Sequence, residues 1–152
     1  MTDVVFRWYD WHALDADTLY GLLRLRADVF IVEQQCAYAD IDGLDPRCLH
    51  LCGHDTDGNL LAYLRLLPPG VKVPQVAIGR LVVHPSARGG GLGRRAMREA
   101  LMQCAERYPG QSVFLSGQAH LQRFYASLGF APISAPYLED GIPHIDMLRK
   151  TP

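Results

Sequence analysis

Val82-Val83-His84-Pro85-Ser86-Ala87-Arg88-Gly89-Gly90-Gly91-Leu92-Gly93-Arg94-Arg95-Ala96-Met97 is the stretch from which the fold is read. Before it, Val76, Ile78, Leu81, Val82 and Val83 form a β-rich apolar run that Pro85 ends. After it, Leu92, Ala96, Met97, Ala100, Leu101, Cys104, Ala105 and Tyr108 recur near helical spacing, with Arg94, Arg95, Arg98, Glu99, Gln103, Glu106 and Arg107 mostly opposite. The pattern is strand, bend, glycine-dense loop, helix. Four glycines among the five residues Gly89 to Gly93 let backbone N–H groups approach an anion without Cβ interference. The helix start adds its unpaired amides and the positive end of its dipole, and Arg88 and Arg94 bracket the loop with charge. These features predict a cradle for a phosphate or pyrophosphate.

Spacing narrows the choice of cradle. A P-loop would close with Gly-Lys-Ser/Thr, whereas Gly93 is followed by Arg94-Arg95. Gly91-Leu92-Gly93-Arg94-Arg95-Ala96 satisfies the permissive dinucleotide pattern. However, His84 to Arg88 separate the strand from the glycines, and Val113-Phe114-Leu115 runs into Ser116-Gly117-Gln118 with no acidic residue for a ribose.

What remains is Arg88-x-x-Gly91-x-Gly93 after a strand ending Val82-Val83. It resembles the acyl-CoA pyrophosphate loop of the GNAT superfamily of N-acyltransferases. Phe124-Tyr125-Ala126-Ser127-Leu128-Gly129-Phe130 resembles that superfamily's second signature, a short helix carrying a tyrosine and closing at Gly-Phe. Leu25 to Gln34 and Glu139-Asp140-Gly141-Ile142-Pro143-His144 are similar to the small bacterial ElaA-like branch. The resemblance implies an α/β (α+β type) fold, a mixed and mostly antiparallel six- or seven-stranded sheet flanked by about four helices. The order of elements along the chain, β-α-(α)-β-β-β-α-β-α-β-β, fits that architecture.

The same resemblance implies acetyl transfer from acetyl-CoA to a primary amine by direct attack in a ternary complex, and it assigns roles residue by residue. Backbone groups of Leu81, Val82 and Val83 would pair with the pantetheine arm, and one N–H would polarise the thioester carbonyl. Amides across Arg88, Gly89, Gly90, Gly91, Leu92, Gly93 and Arg94 would hold the pyrophosphate. Gln118 stands where many members carry an asparagine that touches pantetheine, and Phe124 and Tyr125 complete the cofactor side. Tyr125 matches the tyrosine that protonates the departing thiolate; taken on its own it also fits a core aromatic. Many members place a general-base glutamate on the strand before the glycine loop, and this chain has no carboxylate between Val71 and Pro85. Glu33, His120 and His144 are the substitutes, with Glu33 first because it follows an apolar run that would raise its pKa.

The rest of the chain sets bounds. The 152 residues suit a single domain over 1–152, and 49% hydrophobic with 20% charged residues is ordinary for a globular protein. A net charge of −1 offers no basic face for nucleic acid. No apolar run reaches membrane-spanning length, and Met1-Thr2-Asp3-Val4 lacks the basic start of a signal peptide. The four unevenly spaced cysteines fit reduced thiols in the cytoplasm. A covalent cysteine route has no support, since Cys104 lies on the helix's apolar face and nothing activates Cys36.

Two clusters have double readings. Glu33, Asp40, Asp42 and Asp45 form either a solvated loop turning at Asp42-Gly43 or an acidic wall for a cationic amine. Cys48-x-His50-x-Cys52-x-His54 places four metal-ligand types on one strand face, but strand spacing is too wide for tetrahedral zinc, and an ordinary half-buried strand with no metal is the simpler account. The expected partners are a small-molecule or peptide amine, with the chain a monomer or homodimer. The competing function is a non-catalytic acyl-CoA-binding sensor or interaction module, supported by the missing strand glutamate.

Overall fold

The computed structural model describes residues 3–150. The strands are β1 (Val5–Tyr9), β2 (Leu49–His54), β3 (Leu60–Leu67), β4 (Val76–Val83), β5 (Val113–Gln118), β6 (Ala131–Pro132), β7 (Tyr137–Glu139) and β8 (Ile142–Arg149). They form one eight-stranded sheet in the order β1-β2-β3-β4-β5-β8-β6, with β7 also paired to β8. The β4–β5 pairing is parallel and the others are antiparallel. The strand count exceeds the expected six or seven because the chain between α3 and β8 forms two short strands, β6 and β7, instead of one. Ser134, Ala135 and Pro136 separate β6 from β7, and Pro136 cannot donate to a ladder.

Helix α1 (Ala16–Arg26) starts where Asp15 caps it, its Oδ1 accepting from the Thr18 amide at 2.7 Å. The chain continues past α1 by widening into a π-helical segment, Ala27–Glu33. Helix α2 (Leu92–Arg107) lies on the opposite face of the sheet, and α3 (Gln122–Ala126) follows a single 3₁₀ turn, Ala119–Leu121. Gly129 (φ 94°) ends that segment in the left-handed region expected of it.

Two cores sandwich the sheet. Ala96, Met97, Ala100 and Cys104 of α2 pack on Leu51, Leu64, Leu66, Val76, Leu115 and Met147. Leu22, Leu25 and Val29 pack on Cys52, Tyr63 and Val82 across the other face. Leu22 and Leu64 are fully buried, each contributing about 1.5–3 kcal/mol. Ala105, placed on the apolar face of α2 by its spacing, is exposed. Helix α1 packs chiefly on β3 and β4. Beyond it, Ser116 and Gln118 of β5 and His144 and Asp146 of β8 alternate with buried neighbours and share the face that no helix covers.

Candidate functional site

The parallel strands β4 and β5 pair only through Val76↔Val113 and Ala77↔Phe114, then diverge. Facing edges from Ile78 to Val83 and from Leu115 to Gln118 are therefore left without a partner across the gap. Unpaired strand edges invite an extended chain of amides. A register shift in β3–β4 deepens the opening. Tyr63 pairs with Val82 and Arg65 with Gly79, so Leu64 opposes both Arg80 and Leu81. Arg80 takes up the extra residue at φ 56°, which is uncommon for a non-glycine and marks a β-bulge. The resulting cavity measures about 530 Å³ and is bounded by β4, β5, the π-helical segment, the tyrosine-bearing helix and the turn before β8.

The glycine loop expected to cradle an anion adjoins this cavity at Val83, Arg88 and Phe124. Gly91 (φ 82°) caps α2 without a side chain, so the amides of Leu92, Gly93 and Arg94 have no intrahelical acceptor. Gly89 (φ 84°) also needs the left-handed region. A Cβ on Gly93 would stand 3.7 Å from Val83 and 3.8 Å from Phe124, so the helix start is seated close to the end of β4 and to α3. Arg94 lies 5.4 Å over the Phe124 ring. Arg88 donates from Nε to the Val83 carbonyl and forms two bonds with the Glu33 carboxylate, at 2.8 and 3.0 Å. All the residues expected to hold a pyrophosphate thus meet at one place, with Glu33 among them.

That pairing makes Glu33 a weaker base than its sequence context suggests. The Arg88 hydrogen bonds hold its carboxyl below the usual range, outweighing burial, so it stays ionised and is a poor acceptor for an ammonium proton. His120 reaches the cavity from the exposed 3₁₀ turn, and among the described residues no hydrogen bond fixes its tautomer. His144 is better placed. Its Nδ1 lies 2.7 Å from the Ile142 carbonyl, which can only accept, so Nδ1 is the donor in this contact and Nε2 is left with a lone pair. Glu139 Oε2 lies 3.5 Å from that Nε2, ready to stabilise the charged ring.

Tyr125 stands at the opposite wall, 7% exposed, edge-on to Phe124 and Phe130. A Cβ on Gly117 would fall 2.6 Å from its ring, so glycine at that position admits the tyrosine against β5. Burial pushes the phenol up to about 12. None of the side-chain hydrogen bonds among the described residues uses its hydroxyl, and the residue lines the cavity. Gln118 binds Gln34 Oε1 at 3.1 Å across the cavity, a partner the sequence did not suggest.

The acidic loop is not a wall for a cationic acceptor. Asp40 and Asp45 are buried and bound by Arg26 at 3.0 and 2.8 Å, and Arg65 joins Asp42 at 2.5 Å and Asp45 at 2.9 Å. Arg80 adds a 2.9 Å contact to Asp40 and stacks 5.5 Å over Tyr38. Three guanidinium groups neutralise three carboxylates, and the network anchors the bulge beside the cavity. The available signal was an arginine inside each of three apolar runs, since a buried arginine requires a carboxylate. Cys48, His50 and Cys52 do share a face, yet both His50 nitrogens are engaged, with Tyr63 at 2.6 Å and the Asp45 carbonyl at 2.9 Å. Cys48 donates to the Leu44 carbonyl. Among the described residues no group of three or more His, Cys, Asp or Glu is arranged to hold a metal ion.

Comparison with known proteins agrees with this geometry. Residues 24–151 match the acetyltransferase (GNAT) domain family. The chain is similar to Protein ElaA of Escherichia coli K12, 43% identical over 150 residues that cover 96% of this chain and 97% of that one. The crystal structure of an acyl-CoA N-acyltransferase from Pseudomonas aeruginosa superimposes with a TM-score of 0.92 at 45% identity, covering 97% and 99% of the two chains. That of Escherichia coli ElaA gives 0.91 at 41%, covering 97% and 100%.

Proposed function

Because the chain belongs to the GNAT acetyltransferase family, we propose that it transfers an acetyl group from acetyl-CoA to the nitrogen of a primary amine, by direct attack in a ternary complex. The observation that carries this reading is the gap between β4 and β5, whose cavity is lined by Arg88, which precedes the glycine loop, and by Tyr125. The residues present fit acyl-CoA: free amides and Arg88 suit a diphosphate, and the unpaired edge of β4 suits an amide-bearing arm. When bound, acyl-CoA supplies an activated thioester carbonyl.

The chain's own groups then act in order. Amides from Gly89 to Arg94 and the Arg88 guanidinium hold the diphosphate. Backbone N–H groups of Leu81 to Val83, redirected by the bulge at Arg80, orient the arm and polarise the carbonyl. His144 Nε2 takes the proton that the amine gives up as it attacks, and Glu139 stabilises the charged ring. Tyr125 Oη holds a proton for the departing sulfur; burial keeps that phenol protonated at working pH. Thiol chemistry plays no part: the Cys36 thiol is turned to the Asp140 carbonyl, and burial pushes Cys104 up to about 12.

Among the described residues no helix is long and apolar enough to cross a membrane. Four buried, unpaired thiols suit a reducing compartment, and we place the reaction in the cytoplasm on that ground. The acceptor is a small-molecule or peptide amine. The test is thiol release from acetyl-CoA with putrescine, Nα-acetyl-lysine amide or an alanyl dipeptide. Release that depends on one of these amines is expected. CoA-induced thermal stabilisation without such release overturns transfer and marks a non-catalytic acyl-CoA sensor.

A further inference from the structure

Next to His144, on the same uncovered sheet face, lie three side chains that the mechanism does not use. Ser116 and Asp146 are cross-strand neighbours on β5 and β8. Tyr137 of β7 lays its hydroxyl between them, 2.5 Å from Ser116 Oγ and 2.5 Å from Asp146 Oδ1. Asp146 is itself pinned, its N–H donating to Ser134 Oγ and its carbonyl accepting from the Ile133 amide.

Proton accounting gives this chain a direction. A carboxylate only accepts, so Tyr137 gives its single proton to Asp146. The Tyr137 oxygen then offers only lone pairs, so Ser116 must give its single proton to Tyr137. Burial, with the Asp146 hydrogen bond adding to it, pushes the Tyr137 phenol up to about 12, so the proton that sets the direction stays in place at neutral pH. Ser116 lines the cavity, and all that it can show there is a lone pair. Hydrogen bonds aligned in one direction also strengthen one another.

Ser116 and His144 are diagonal neighbours on this face, two residues apart in the β5–β8 register, with Cβ atoms roughly 7–8 Å apart in such pairs. One nitrogen between them can donate to both. Tyr137 also stacks on the His144 ring, 6.3 Å between centroids at 29°, so one side chain orients the serine and backs the base.

We propose that Ser116, oriented by Tyr137 and Asp146, receives one N–H of the attacking nitrogen while His144 receives the other, making the site selective for primary amines. A neutral primary amine has two N–H groups and a lone pair for attack. A secondary amine or an alcohol has one hydrogen, so it can pair with Ser116 or with His144 but not with both. This rests on the acyltransferase reading of the cavity.

The experiment compares wild type with Ser116→Ala, Ser116→Thr and Tyr137→Phe, using acetyl-CoA with putrescine, Nα-acetyl-lysine amide and an alanyl dipeptide, then the N-methyl and hydroxyl analogues of the best amine. Ser116→Ala and Tyr137→Phe are expected to raise the KM of that amine about five- to tenfold, the worth of one hydrogen bond, with the KM of acetyl-CoA unchanged. Ser116→Thr should restore most of the loss, and Ser116→Ala should lose preference for the primary amine over its N-methyl analogue. All three variants should melt within about 3 °C of wild type. Unaltered amine KM and unaltered preference in Ser116→Ala overturn the serine's role while leaving acyl transfer standing. If wild type releases thiol with none of the amines although CoA stabilises it, the acyltransferase reading falls and the inference with it.

Discussion

Arg88 and Glu33, 55 residues apart in sequence, meet in a two-pronged ion pair at the mouth of the cavity. The guanidinium that should grip the diphosphate is thereby held in position by a carboxylate that competes for it. Replacing Arg88 with alanine should raise the KM for acyl-CoA roughly ten- to a hundredfold, the worth of a charged hydrogen bond, with kcat nearly unchanged. Glu33→Gln should leave kcat within about twofold and lower the KM for acyl-CoA, because the competitor is gone. A general base at this position would instead cost about a hundredfold or more in kcat. Steady-state kinetics of the two variants separates the roles.

Tyr125 depends on Gly117. Tyr125→Phe keeps the ring between Phe124 and Phe130 but removes the proton held for the sulfur, and kcat should fall about a hundredfold with CoA affinity intact. Gly117→Ala puts a Cβ 2.6 Å from the ring edge, where neighbouring aromatics leave little room to move. It should cost about 1–3 kcal/mol of stability and reproduce the kinetic defect with the hydroxyl still present. With the phenol pushed up to about 12, the wild-type rate should show no alkaline fall assignable to Tyr125 below about pH 11. Calorimetry with CoA and a pH–rate profile check these outcomes.

The cradle and the tyrosine were legible because each is a local pattern: a run of glycines opening a helix, and a helix closed by Gly129-Phe130. The fold class followed from the same two signatures together with the alternation of apolar runs. The gap between β4 and β5 was not legible. Strand composition says nothing of where pairing stops, and the bulge that widens the gap sits on Arg80 rather than on a glycine that would have announced it. The raised pKa expected of Glu33 was read from an apolar run that predicts burial, whereas Arg88, from a distant loop, supplies a charge that lowers it. The reversal of the acidic loop has the same origin, as its partners Arg26, Arg65 and Arg80 come from three separate elements.

The arginine–aspartate network should dominate acid stability. Burial raises the pKa of Asp45, but the hydrogen bonds and charges of Arg26 and Arg65 outweigh it and the net shift is downward; Asp42 is lowered in the same way by Arg65. A carboxyl with a depressed folded pKa contributes stability that is present above its unfolded value, about 3.9, and lost as pH falls through the folded value. Thermal melts should therefore drop steeply below about pH 4. Arg26→Met takes from buried Asp40 and Asp45 one of the two arginines that each contacts, and should cost about 1.5–3 kcal/mol at neutral pH and flatten the acid limb. An unchanged acid limb in that variant would assign the loss to other groups.

His144 can be separated from every other proton acceptor near the cavity, because its tautomer is fixed. Nδ1–H is committed to the Ile142 carbonyl, so Nε2 alone can take a proton, and Glu139 faces that atom. His144→Gln keeps a polar side chain on β8 without a basic nitrogen, and kcat should fall about a hundredfold with the KM of acetyl-CoA unmoved. The remaining activity should climb with pH, since the variant depends on acceptor that arrives already deprotonated. Glu139→Gln removes the stabilising charge but not the base, so its loss should be smaller, about two- to tenfold, and absent from CoA binding. If His144→Gln instead keeps the wild-type rate while His120→Gln loses it, the proton leaves through the mouth of the cavity and not through β8.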